Sequence, residues 1–251
     1  MSRFQRTWLA VGLLAPGLLA AASAHAMSGS VTVHWDTLTI DVIDTNLADG
    51  VTPTLSWSEQ LTSSVALAYG PQQLLAFDEQ PDWVTPGGMA HSSAGVQIAT
   101  HFDAATLYVE ANAQSGRQTG TRIYRDARMQ VSGDARVVVS VAAEAHVALT
   151  SAEIAPGSTA YAYADANLFC SDTPDLQNTL SPVAYMSARP GTLDASATLQ
   201  TAIDMHGGEA AYLFTQPGVV LSPLAVPEPA SGWMLAAGLI AIASRATWRS
   251  R

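Results

Sequence analysis

From residue 135 to residue 150 the chain alternates in character. Val137, Val139, Val141, Ala143, Ala145, Val147 and Leu149 hold the odd positions, while Arg136, Ser140, Glu144, His146 and Thr150 stand on even ones. Successive side chains of a strand point to opposite faces, so a period of two over this length predicts extended chain with one face buried. Residues 105–113 repeat the pattern, with Ala105, Leu107, Val109, Ala111 and Ala113 opposite Thr106, Tyr108, Glu110 and Asn112. Residues 160–168 set Ala160, Ala162, Ala164, Ala166 and Leu168 opposite Tyr161, Tyr163, Asp165 and Asn167. Near the start, Val31, Val33 and Trp35 share one parity and Leu38, Ile40 and Val42 the other. A β-bulge between the two sets would keep both on the core. Asp49-Gly50, Pro71, Pro86-Gly87-Gly88, Ser132-Gly133-Asp134, Pro156-Gly157, Pro190-Gly191 and Pro217-Gly218 read as turns. Ala195 to Met205 fits strand or helix and is taken as strand. Many short strands between such turns predict an all-β chain, an antiparallel β-sandwich or jelly roll built as one domain.

The two ends follow other rules. Arg3 and Arg6 open the chain without an acid, Trp8 to Ala22 is apolar or small throughout, and Ala24-His25-Ala26 offers a small-x-small exit. That order is the pattern of a secretory signal peptide cut by signal peptidase, and it sets residues 1–26 apart. At the other end, Val226-Pro227-Glu228-Pro229 precedes an apolar run containing Trp233, Leu235, Leu239, Ile240 and Ile242, and Arg245, Arg249 and Arg251 close the chain. Proline fixes its own φ and disfavours helix in the residue before it, so the two prolines hold Glu228 extended. From Ala230 to Trp248 a helix would span the apolar core of a bilayer only with Arg245 snorkelling and Trp233 and Trp248 near the interfaces. The arginines would stay on the cytoplasmic side and leave everything upstream outside.

This tail resembles the PEP-CTERM sorting signal of Gram-negative bacteria, which an exosortase processes. The resemblance covers about the last 26 residues. It implies transient anchoring in the inner membrane, cutting near Pro227-Glu228-Pro229, and a final place at the cell surface or outside the cell. It also implies a host that makes extracellular polysaccharide. Residues 225–251 are thus expected to be a sorting segment and residues 27–224 the passenger. Trp35 to Gly50 and Arg122 to Ala145 are loosely similar to stretches of other passengers of that kind, a likeness that assigns no activity.

The passenger has no lysine and keeps six arginines against 20 acidic residues, a net charge of −14. Such a charge disfavours nucleic acid and anionic membrane surfaces as partners. With Cys170 alone no internal disulfide can form, and a domain of about 200 residues can stand on its core. Cys170 ends an apolar stretch and reads as a buried small hydrophobe, with a reactive or intermolecularly paired thiol as the other reading.

Linear motifs for nucleophilic, zinc or phosphate chemistry are missing from the sequence, although paired carboxylates need no such motif. Asp44, Asn46 and Asp49 with Gly50 resemble a calcium loop, one residue longer than the EF-hand spacing, and equally suit a strand-to-strand turn. Arg117, Arg122, Arg125, Arg128 and Arg136 could form an anion patch or pair with acids across strands. His34, His91, His101, His146 and His206 are scattered. Trp57 and Trp83, with Tyr161 and Tyr163, could stack on sugars or fill a core. Two functions are carried forward: a non-enzymatic surface or matrix component associated with exopolysaccharide, and a secreted carbohydrate-active enzyme using two carboxylates. No organic cofactor is expected, and calcium is the metal considered.

Overall fold

The computed structural model describes residues 27–69, 73–93, 95–114, 116–150, 157–170, 183–187 and 190–224. Both end segments read above, residues 1–26 and residues 225–251, lie outside the described residues, and so do the turns at Pro71 and Pro156. Among the described residues the chain forms twelve strands. In order they are β1 (Met27–Asp44), β2 (Leu55–Tyr69), β3 (Gln73–Gln80), β4 (Ala90–Ser93), β5 (Val96–Phe102), β6 (Thr106–Ala113), β7 (Gln118–Val131), β8 (Ala135–Leu149), β9 (Thr159–Cys170), β10 (Val183–Ser187), β11 (Gly191–Met205) and β12 (Ala210–Ser222). They build two six-stranded sheets. Sheet A runs β11-β8-β1-β6-β5-β4, and sheet B runs β10-β9-β12-β7-β2-β3. Every strand pairing in both sheets is antiparallel.

The alternation of 135–150 becomes one unbroken strand. Its odd residues are buried from Ala135 to Leu149 while Arg136 and Glu144 are exposed. Ala195 to Met205 is strand as well, inside β11, which pairs residue for residue with β8 from Gly191 to Met205. The odd residues of β8 face sheet B, whose strand β9 turns Ala160, Ala162, Ala164 and Ala166 inward, all nearly inaccessible. Small inward side chains let the sheets approach closely. A Cβ added to Gly29 on β1 would come 2.8 Å from the Cγ1 of Val219 on β12, so this position has room only for hydrogen. Larger side chains are buried in the same core, among them Met27, Phe102, Leu107, Ile123, Met129 and Trp35.

The parity change in β1 is larger than a one-residue bulge. His34 pairs with Ala142 and Thr39 with Ser140, so four residues on β1 lie opposite one on β8. Thr37 bridges the break: its hydroxyl donates to the His34 carbonyl at 2.7 Å and accepts from the Ala142 N–H at 2.9 Å. Beyond the break Leu38, Ile40 and Val42 pack against the core, as the parity argument requires. One turn signal is overturned. Pro217-Gly218 lies inside β12, where pairing with β7 skips from Thr215 to Gly218. Proline supplies no N–H to a ladder, so it fits a strand only at such an interruption. Cys170 ends β9, is buried and forms no disulfide.

Candidate functional site

Parity on sheet B sends the aromatic residues outward. Because Ala160, Ala162, Ala164 and Ala166 of β9 face the core, Tyr161, Tyr163 and Phe169 stand on the opposite face. Tyr161 and Tyr163 stack with centroids 5.0 Å apart and planes at 27°. Tyr185 pairs with Tyr161 from β10, its ring 6.4 Å away and edge-on, and 52% of it is exposed. On the neighbouring strands Tyr124 lies 5.5 Å from Phe214, and Phe169 stacks on Tyr212 at 5.4 Å. At the sheet's far edge Phe77 and Leu74 are exposed. Aromatic side chains usually go inside, so a line of them across an outer face asks for an external apolar surface to cover it.

Glycine shapes this face. Tyr163 sits opposite Gly218, and a Cβ there would come 2.6 Å from the ring, so the phenol lies flat over the glycine. The Nε2 of Gln216 donates to the Tyr163 hydroxyl at 2.6 Å and fixes its direction. Burial pushes the hydroxyl of Tyr163 above its ordinary range, and burial followed by the charge of Asp165 does the same at Tyr161. Beside the Tyr163 ring is a notch of about 60 Å³, lined by Leu67, Gly120, Arg122 and Val220 among others. The guanidinium carbon of Arg122 lies 5.2 Å from the Tyr124 ring centre, a cation–π distance. Its Nε is inaccessible and has no hydrogen-bond partner. Asp126, outward on β7, also has an inaccessible unpartnered oxygen; burial first, then the negative charge of Glu79, raises its carboxyl.

The five arginines do not form one patch. Arg122 and Arg128 face outward on sheet B, and Arg128 reaches Glu59 at 3.8 Å. Arg136 lies on sheet A and reaches Asp204 at 3.9 Å. Arg125 points inward and is fully buried, its Nε donating to the Thr62 hydroxyl at 3.0 Å and its Nη2 to the Asp103 carbonyl at 2.9 Å. The two tryptophans leave the tyrosines too. Trp83 is buried and packs edge-on against Trp35 at 5.1 Å and against the half-buried Trp57 at 5.2 Å, with its indole N–H on the Asp126 carbonyl. They belong to the core end because β2 turns Trp57 inward and the loop after β3 folds Trp83 over the same edge.

The outer face of sheet A is polar. Across it runs a register row of Asp194, His146, Ser30 and Glu110. A shallow depression of about 320 Å³ is lined by Ser30, Thr32, Glu144, His146, Asp194 and Ser196 among others. His146 lies 2.6 Å from Asp194 and His34 3.7 Å from Glu144. Both carboxylates are open to solvent, with Glu144 67% and Asp194 79% exposed.

The calcium candidates lie at the end of β1 and in the turn after it, where one oxygen of each aspartate is engaged by backbone. Asp44 Oδ1 accepts the Asn46 N–H and Asp49 Oδ1 the Val51 N–H, both at 2.8 Å. Asn46 donates to Asp134 at 3.4 Å. These are the bonds of Asx turns. Among the described residues no three His, Cys, Asp or Glu side chains are grouped to hold a metal ion. Val226 to Pro229 and the anchor and tail from Trp233 to Arg251 lie outside the described residues.

The residues missed by sequence reasoning are Arg122, Tyr124, Tyr185, Phe169, Tyr212 and Phe214 as members of one face. For β9 the signal was present: the parity that buries alanine must expose tyrosine. For the rest it was absent, because which strands lie beside β9 is a long-range property.

Comparison with family models finds no match, and none is found among curated proteins. Among solved structures the chain has a distant likeness to a protein described in a study of the promiscuous specificity of carbohydrate-binding modules from the β-sandwich superfamily. Identity is 11%, the alignment covers 70% of this chain and 98% of that one, and the TM-score is 0.12.

Proposed function

We propose that this chain is an exported, non-enzymatic component of the cell surface or extracellular matrix, whose sandwich binds exopolysaccharide through the aromatic outer face of sheet B. The observation that carries the binding reading is the outward line of Tyr185, Tyr161 and Tyr163, rings held in fixed positions by stacking and by Gly218. Pre-set aromatic planes suit the apolar faces of sugar rings, because little side-chain freedom is lost on binding. Export rests on the sequence at both ends: the signal-peptide pattern before Met27, and Val226-Pro227-Glu228-Pro229 ahead of an apolar run and an arginine tail. In this reading signal peptidase frees the start, an exosortase cuts near the Pro-Glu-Pro motif, and the inner membrane holds the chain only in between.

Intact-mass measurement on each cell fraction of the native host tests the sorting. A surface or medium species lacking both ends is expected, and a cytosolic species retaining Met1 and Arg251 defeats it. Co-sedimentation with the host's polysaccharide tests binding. Replacing Tyr161 and Tyr163 together by alanine should abolish it, and undiminished sedimentation would refute the role of this face.

A second reading, a carbohydrate-active enzyme, draws on the sheet A depression, which brings Glu144 and Asp194 together. Asp194 pairs with His146, two residues from Glu144, a diagonal spacing of about 7–8 Å between backbones. Paired carboxylates in glycosidases stand about 5–10 Å apart, but their general acid is desolvated. Both carboxylates here are exposed, which is why we rank this reading second. Release of new reducing ends, lost in Glu144→Gln and Asp194→Asn, would reverse the ranking.

A further inference from the structure

Burying a guanidinium N–H without an acceptor costs on the order of 1–3 kcal/mol, more for a charged group, and folded chains rarely leave one so. On the outer face of sheet B, Arg128 has Glu59 at 3.8 Å, whereas Arg122 makes no ion pair among the described residues, and its Nε is inaccessible and unbonded. The surroundings hold Arg122 in place: its guanidinium lies over Tyr124, and the notch beside it is walled by the ring of Tyr163 and floored by Gly120. The notch, about 60 Å³, admits a group of a few atoms and excludes a whole sugar ring. The flat ring of Tyr163 and its stacked neighbour Tyr161 offer the surface for the ring itself, and they share the outer face with the notch.

A sugar laid on Tyr161 and Tyr163 with one small anionic substituent directed into the notch would bring a counter-charge to the terminal nitrogens of the Arg122 guanidinium, which are not closed off as Nε is. Guanidinium binds carboxylate through two parallel N–H bonds, and such charge-assisted bonds are about twice as strong as neutral ones. We infer that the aromatic face selects polysaccharides carrying carboxylated sugars, the carboxylate pairing with Arg122 while the ring stacks on Tyr163. This rests on the reading that the face binds glycan and adds the chemical class. The passenger's own charge of −14 opposes a polyanion at long range. That repulsion is screened beyond about 8 Å at physiological ionic strength, while a contact inside a notch is screened far less. Binding should therefore strengthen between 20 and 150 mM salt, the reverse of ordinary polyanion recognition.

The test uses the intact chain in a mild non-ionic detergent, with polygalacturonate and polymannuronate as probes and the methyl ester of each as its uncharged control. Esterification keeps the sugar faces and removes the charge. The acid forms should bind about ten-fold more tightly than the esters, the size of a charge-assisted bond of ~1.4 kcal/mol. Arg122→Gln should bring binding of the acid forms down to the level of the esters, and Arg122→Lys should keep part of the preference. An unchanged melting temperature shows that each variant is folded. Equal binding of acid and ester by the parent chain overturns the carboxylate inference and leaves the stacking reading standing. Binding to neither form of either polymer overturns both, and Arg122→Gln retaining the preference overturns the role of the notch.

Discussion

Arg125 stands on β7 with the opposite parity from Arg122 and Arg128, and the structure buries it completely. Its guanidinium lies 5.0 Å from the Trp35 ring centre, and burial lowers its pKa to about 10 despite the opposing charges of Asp103 and Asp82. Nη1 has no partner. Packing and two hydrogen bonds thus act against desolvation of a charge. Arg125→Ala should lower stability by about 3 kcal/mol, from the cavity and the acceptors left behind. Arg125→Met, which refills the volume without a charge, should recover more than half of that loss. Urea-denaturation midpoints decide the matter, and a methionine variant as unstable as the alanine one would show that the polar bonds dominate. Tyr108 gives a second test. Burial first, then its 2.9 Å hydrogen bond to Glu110, pushes its hydroxyl up to about 12 from an ordinary value of 10. The folded chain thus keeps this proton to higher pH than the unfolded chain does. The stability it brings is complete below pH 10 and is lost as pH rises towards 12. Absorbance titration at 295 nm should find Tyr108 among the last phenols to ionise, and Tyr108→Phe should flatten the fall in stability between those pH values. An equally steep fall in the variant would assign it elsewhere.

At the scale of elements the alternating pattern predicted strands well, because a half-buried strand writes its two environments directly into adjacent residues. β6, β8 and β9 follow it closely. Pairing order left no such record: β1 lies between β6 and β8, and β12 between β7 and β9, partners far away in the chain. The break in β1 was visible as a change of parity, but its size was not, since four residues rather than one bulge out against β8. Pro217-Gly218 misled for a related reason. Residues that favour turns also suit an interruption inside a strand, and only the partner strand tells the two apart. The β1 break supplies the element-scale prediction. Thr37 replaces the missing ladder bonds with its hydroxyl, receiving the Ala142 N–H and donating to the His34 carbonyl. Thr37→Val keeps the shape and removes both bonds. A loss of about 1–2 kcal/mol is expected, moderated because the site is solvent-exposed and water can replace part of what is lost. Thr37→Ser should be close to the parent. Faster amide exchange at Ala142 in the valine variant alone would locate the effect at the bridge, and unchanged exchange there would show that the backbone holds the break without it.

The whole molecule joins two faces of different chemistry on one core. Sheet A presents hydroxyls and histidine–carboxylate pairs, and sheet B presents stacked aromatics around Arg122. Twenty acids against six arginines surround this core, so like charges predominate over pairs. Among the described residues the arginine–carboxylate contacts are long and exposed, 3.8 Å for Arg128 with Glu59 and 3.9 Å for Arg136 with Asp204. Contacts of that kind contribute between nothing and about 1 kcal/mol, and salt weakens them. Self-repulsion acts over a longer range and is also weakened by salt, so the two effects oppose each other as ionic strength rises. With −14 charges and so few pairs among the described residues, repulsion should win. The Debye length shrinks from about 30 Å at 0.01 M to about 3 Å at 1 M salt, which spans the distances between charges on a domain of this size. The melting temperature should therefore rise steadily from 10 mM to 500 mM sodium chloride. Most of the gain should come by 150 mM, where neighbouring acids are already shielded from one another. Sodium chloride separates this from hydrophobic salting-out, which a matched series in sodium sulfate would show as a continued rise at high concentration. A melting temperature that falls with sodium chloride would mean that the ion pairs outweigh the repulsion. The long-range term invoked against polyanions at the Arg122 notch would then have to be abandoned with it.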